Sequence, residues 1–165
     1  MATVNRKAYQ KRLPKKRISA GCLLFNEAGQ LLIVNPTYKD GWEIPGGTVE
    51  ANESPLQGCI REIWEELGLE WRPLRLLVVD YNPETAERTE SLNFIFDGGT
   101  LSMEQAASIT VPPREISEFR FMEPELAVQM LKRRLRRRVT TALQQRVTGT
   151  PAYLEEQVEA FDASK

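Results

Sequence analysis

The 165-residue chain contains no histidine. That absence excludes Ser-His-Asp and Cys-His nucleophile systems, most zinc enzymes and histidine-ligated haem. Any general base must be a carboxylate, an amine, a phenol, a thiol or a metal-bound hydroxide. Cysteine is scarce: Cys22 and Cys59 stand far apart, each inside an apolar run. Two cysteines are too few for a disulfide framework or a Cys-rich zinc site, and they suit a reducing compartment. No stretch reaches the roughly 18 consecutive apolar residues of a membrane span. The basic N-terminus also lacks the apolar segment of a secretory signal. Internal repeats and low-complexity linkers are missing too. These gaps point to a soluble, cytoplasmic protein with no membrane partner. Apolar residues at 41% and charged residues at 27% suit one globular domain that buries its core without staples.

Acids and bases nearly balance, with a net charge of −1, yet they are segregated. Residues 1–17 carry +7, residues 18–122 carry −10, residues 123–147 carry +5 and residues 148–165 carry −3. A flexible arm plus a solvated helix face accounts for the two basic stretches. The alternative is a basic patch for nucleic acid or for phosphorylated substrates.

Residues 17–25 and 30–34 read as two apolar strands joined by the hairpin turn Asn26-Glu27-Ala28-Gly29. A Pro- and Gly-containing loop runs from Asn35 to Gly47. Residues 74–81 and 91–97 are β-branched and aromatic strands, with a shorter one at 116–122. Ser54-Pro55-Leu56-Gln57 is a capping box with proline at the first helical position. The helix it opens should end at Gly68 in a left-handed cap. Leu56, Cys59, Ile60, Ile63 and Leu67 form its core stripe. A second helix is expected over 124–147, with Val128, Leu131, Leu135, Val139 and Leu143 as its stripe. The pattern suggests a mixed sheet with helices on both sides. Residues 1–16 form a basic arm, residues 17–147 the domain, and residues 148–165 a loosely held tail with a short helix near 153–161.

Glu62, Glu65 and Glu66 share a helix face opposite the stripe, at spacings i, i+3 and i+4. Mutual repulsion and the helix dipole both disfavour three carboxylates at a C-terminal end. A divalent cation offsets both penalties, and hard oxygen ligands select Mg²⁺ or Mn²⁺. The competing explanation is a solvated acidic face. Arg61 adjoins the cluster, and Glu53 lies just ahead of the N-cap, so both can pair across the helix start or steer Glu62. Upstream, Pro45-Gly46-Gly47 forms a tight loop whose backbone can approach a ligand.

Gly47, Glu53, Arg61, Glu62, Ile63, Glu65, Glu66, Gly68 and Leu69 together fit G-x5-E-x7-R-E-U-x-E-E-x-G-U, where U is a bulky aliphatic. This is the Nudix box. Over residues 47–69 the chain resembles a Nudix hydrolase at every defining position. Trp42-Glu43-Ile44-Pro45-Gly46-Gly47 is similar to the lead-in common in that family. Asn52 stands where glycine is frequent, and asparagine tolerates the positive φ required there.

The resemblance implies an α+β chain with the α/β/α sandwich and mixed sheet of the Nudix fold. It implies hydrolysis of the pyrophosphate linkage in a nucleoside diphosphate joined to a group X. It assigns Glu62, Glu65 and Glu66 to divalent cations, with the Gly46 carbonyl as a further ligand. Arg61 would orient Glu62, and Glu53 would hold Arg61. Phosphoryl transfer needs charge neutralisation and an in-line water rather than covalent help. Without histidine, a glutamate beside the metal is the natural proton acceptor. Glu62 is the first choice and Glu115, with Glu118 behind it, the later-loop alternative. Tyr38, Lys39, Trp42 and Arg88 are candidate contacts to base or phosphate, although Trp42 serves equally as a structural aromatic. Trp64 reads as a packing residue and Cys59 as a buried small residue.

The partner implied is a small nucleotide. Two rival readings are a catalytically idle nucleotide-binding regulator and a nucleic-acid-binding role for residues 132–138 and the arm. The intact box argues against the first. Against the second, Leu135 interrupts the basic run and no aromatics interleave for base stacking. The stripe on 124–147 leaves a homodimer seam open.

Overall fold

The computed structural model describes residues 6–161. Its frame is a sheet that alternates apolar side chains to both faces. β1 (Arg17–Asn26) and β2 (Leu31–Pro36) form the expected antiparallel hairpin. Asn26 closes the turn by accepting from the Gln30 N–H at 2.9 Å. β3 (Gly46–Thr48) pairs with β1, antiparallel. β4 (Arg75–Asn82) and β5 (Ser91–Leu101) follow, then β6 (Ile116–Met122) on the far edge beside β2. The order is β6-β2-β1-β5-β4-β7-β8, where β7 is Ala152–Glu155 and β8 is Val158–Glu159, with β1–β5 and β4–β7 parallel and the other pairs antiparallel. The sheet is therefore mixed, as expected.

Along β1 and β2 the two-residue period splits the core. Leu23, Phe25, Leu31 and Ile33 face one side, whereas Ala20, Cys22, Leu24, Leu32 and Val34 face the other. Each fully buried leucine or isoleucine contributes roughly 1.5–3 kcal/mol, so a register slip by one residue would invert both cores. α2 (Pro55–Leu67) covers the second face through Cys59, Ile63 and Leu67. Its capping box forms as read, and Gly68 caps it at φ 68°. Asn52 takes φ 66° just before it. A short helix, α3 (Met103–Ala107), lies beyond β5.

Three expectations are corrected. The helix read over 124–147 is two helices, α4 (Pro124–Met130) and α5 (Arg133–Thr148). Leu131 is extended at ψ 149° and bridges the Trp42 backbone. That tertiary contact overrides helical propensity. Leu131 and Val139 are buried in the first core, with Val128, Leu135 and Leu143 against it, so the stripe is used within the chain. Residues 152–159 are not a helix in a loose tail. They form β7 (Ala152–Glu155) and β8 (Val158–Glu159), and Leu154 is fully buried. Within the arm, residues Arg6–Lys11 form a short helix, α1; residues 1–5 lie outside the described region.

Candidate active site

A cavity of about 610 Å³ opens over the β1–β5 surface, with Gly46, Gly47, Thr48 and Glu62 on one wall. That volume suits a nucleotide-sized ligand. Two backbone features bring the wall together. Gly46 takes φ 140° and lies against the Ala20 carbonyl, an approach that a β-carbon would block. α2 then carries its last two turns past this loop.

Arg61 is the hub of the carboxylate cluster. Its Nε donates to Glu53 Oε1 at 3.0 Å and Nη2 to Glu53 Oε2 at 3.1 Å, a two-pronged grip. Nη1 donates to Glu62 Oε1 at 2.9 Å and to Glu65 Oε2 at 2.8 Å. Nη2 also reaches the Thr48 carbonyl at 2.9 Å, tying the helix to β3. Glu53 is held below the usual carboxylate range by the Arg61 hydrogen bonds and the Glu50 N–H.

Glu66 differs from its neighbours. Cys59, Ile63, Glu66 and Leu67 follow i, i+4, i+7 and i+8, so Glu66 rides on the buried stripe rather than opposite it. It is 4% exposed and accepts the Gly46 N–H at 2.8 Å. Burial pushes its carboxyl up to about 8, and the nearby Glu62 and Glu43 charges add to the shift. Glu62 is also raised, by burial first and then by Glu65 and Glu115, against the pull of Arg61.

Glu115 lies in the loop before β6, where its carbonyl accepts the Thr37 N–H at 2.8 Å. Its charge reaches Glu62. Glu118 instead pairs with Arg120 at 2.9 Å. Among the other candidates, Tyr38, Lys39 and Arg88 line the cavity. Lys39 is paired with Glu43 at 2.6 Å. Trp42 does not line it: the ring is 8% exposed, sits in the first core and has the Arg120 guanidinium 4.8 Å from its centroid. It is a structural aromatic. Trp64 is corrected in the opposite sense, being 58% exposed on a shallow groove with Trp71. Cys59 is buried beside Cys22, away from the cavity lining.

The donor set fits a hard divalent cation. Two partly desolvated carboxylates whose protonation is favoured by burial and mutual repulsion are stabilised by added positive charge. Among the described residues, no three acidic, cysteine or histidine side chains converge on a single point. Glu62 and Glu65 are drawn to Arg61 while Glu66 turns to Gly46, so ligation requires side-chain rotation at these positions.

A NUDIX domain family model matches residues 15–144. The chain belongs to this family. The chain is 38% identical over 66 residues to an RNA pyrophosphohydrolase of Psychrobacter sp. (strain PRwf-1), covering 40% of this chain and 38% of that protein. It is 34% identical over 76 residues to diphosphoinositol polyphosphate phosphohydrolase 2 of Mus musculus, covering 46% of this chain and 42% of that protein. These matches span about two fifths of each relative. In structure the NUDIX chain resembles the MutT protein of Methanosarcina mazei Go1, with a TM-score of 0.67 at 23% identity over 81% of this chain and 98% of that one. That likeness shows the fold.

Sequence reading missed the rest of the cavity wall. Arg17, Lys132, Arg134 and Arg138 line the same cavity as Glu62. The signal was the +5 excess over residues 123–147, which says nothing about direction until α5 is separated from α4.

Proposed function

We propose that this NUDIX chain is a divalent-cation-dependent pyrophosphohydrolase that cleaves a nucleoside diphosphate joined to a second group X. The observation that carries this reading is the placement of Glu62 on the cavity wall beside Gly46 and Gly47, with Arg61 bridging Glu62, Glu65 and Glu53. The names of the two curated relatives, a pyrophosphohydrolase and a diphosphoinositol polyphosphate phosphohydrolase, agree with that reaction class.

Glu62, Glu65 and Glu66, with the Gly46 carbonyl, would hold Mg²⁺ or Mn²⁺. The cation supplies neutralisation of phosphate charge and a lowered pKa for a bound water. Glu62 accepts the proton from the attacking water, because without histidine a glutamate beside the metal is the available base. Glu115 is the alternative acceptor. Arg61 holds Glu62 in place, and Glu53 holds Arg61. Tyr38, Lys39 and Arg88 contact the substrate across the cavity.

No helix among the described residues is long and apolar enough to cross a membrane, and a cytoplasmic location completes the reading. The test is product release from a panel of nucleoside diphosphate derivatives and triphosphates with Mg²⁺ or Mn²⁺. Turnover should require the metal and fall at least about 10²-fold in Glu62→Gln. Nucleotide binding without turnover of any member would instead make the chain an idle binder.

A further inference from the structure

α2 and α5 share an anomaly. α2 carries Glu62, Glu65 and Glu66 at its C-terminal end with no base in its last turn. α5 has Lys132 at its N-cap, Arg133 and Arg134 in its first turn, no acid there and no side-chain cap. Each helix therefore bears charge at the end where its dipole disfavours that sign, at about 0.3–1 kcal/mol per charge. Glu62 from one helix and Lys132 and Arg134 from the other line the same cavity.

The basic wall is mostly uncompensated. Lys39 is matched by Glu43 and Arg138 by Asp80. Arg17, Arg88, Lys132 and Arg134 also line the cavity, and among the described residues no carboxylate forms an ion pair with any of them. They also converge. The Arg138 guanidinium is lowered chiefly by burial, against the pull of Asp80, and Arg134 and Arg17 are close enough to lower it further. The helix break at Leu131 brings Lys132 beside Gly41, in the loop that carries Tyr38 and Lys39. Left alone, such a cluster repels itself; an anion relieves it.

The geometry points to a second anion subsite, formed by Arg17, Arg88, Lys132 and Arg134, that binds a phosphate carried by the substrate outside the scissile pyrophosphate. The substrate class is a small nucleotide or pyrophosphate ester with at least one further phosphomonoester. Small size follows from the cavity of about 610 Å³. The assignment to substrate rests on the hydrolase reading above; the anion subsite itself does not.

Two measurements separate the two. First, binding of inorganic tripolyphosphate is followed by calorimetry in EDTA, for wild type and for Arg17→Gln/Arg134→Gln. Both side chains are exposed, so the variant folds. Affinity should drop about tenfold or more. Equal affinities would overturn the subsite. Second, kcat/KM with Mg²⁺ is compared for matched pairs differing by one phosphate, coenzyme A against dephospho-coenzyme A and ADP-ribose against its 2′-phosphate. Wild type should prefer the phosphorylated member of at least one pair about tenfold, through KM, and the variant should lose that preference. Absence of preference in an active enzyme overturns the substrate assignment. Binding that depends on the two arginines without any turnover leaves the subsite standing and removes the hydrolase reading. Equal affinities for tripolyphosphate together with variant-sensitive binding of a single-stranded RNA would replace the subsite with a nucleic-acid surface.

Discussion

Glu53 and Arg61, eight residues apart across the start of α2, grip each other through two hydrogen bonds of 3.0 and 3.1 Å. The guanidinium fork leaves one nitrogen, Nη1, for Glu62 and Glu65. Glu53 thus reaches Glu62 and Glu65 only through Arg61. Glu53→Gln keeps the side-chain shape but loses the charge that orients the fork. The expected result is a fall in kcat of about 10–10² with KM little changed, read from steady-state kinetics at saturating Mg²⁺. A change confined to KM would remove Glu53 from this positioning role.

Arg61→Ala strips one cation from three carboxylates at once. In EDTA, stability should fall by about 1–3 kcal/mol, and saturating Mg²⁺ should recover part of it by binding only the folded state. Urea unfolding in the two buffers checks this. Identical losses with and without Mg²⁺ would show that Arg61 and the ion do not compete for Glu62 and Glu65.

Glu66 produces a pH dependence of defined sign. Its folded carboxyl titrates near 8, whereas an unfolded glutamate titrates near ~4.3. Between those values the folded chain holds one more proton than the unfolded chain, so stability falls as pH rises. In EDTA the slope should approach ~1.4 kcal/mol per pH unit from about pH 5.5 to 7.5. Glu66→Gln should flatten that slope, and Mg²⁺ affinity should climb over the same window because the ion displaces the proton. A slope unchanged in the variant would assign the effect elsewhere.

Gly47 is a site where activity and stability should separate. A methyl group there would stand 2.5 Å from Glu62 Oε1 and 2.6 Å from its Cδ. The obstacle is the end of a flexible side chain, so the fold can absorb it by moving Glu62. Gly47→Ala should lower kcat about tenfold or more and shift Tm by no more than about 2–4 °C. Full activity would mean that Glu62 works from another rotamer.

The C-terminal strands are structural. Leu154 is fully buried, and Gln157, two residues beyond β7, donates its N–H to the buried Asp80 at 2.9 Å. Leu154→Ala should cost about 2–5 kcal/mol by denaturant titration. A loss below about 1 kcal/mol would return this segment to the status of a loose tail.

How much of this was legible beforehand depended on the range of the interaction. The α2 capping box, the Gly68 stop and the β1–β2 turn are local, decided by residues within four positions of one another, and each forms as read. The box glutamates were equally legible because one helix carries them and helical periodicity alone sets their spacing. Glu66 falls on the buried stripe by helical periodicity itself, and what the sequence withholds is its partner, the Gly46 N–H. The break at Leu131, the Trp42 ring beneath Arg120 and the docking of β7 on β4 each involve partners more than 20 residues away. No window of sequence contains both halves of those contacts. From its own residues the chain determined the reaction chemistry it can support, an acidic cluster with no histidine beside it. Only the tertiary structure decided which bases share a cavity with Glu62, because a basic residue on α5 acquires a direction only when the sheet fixes where that helix begins.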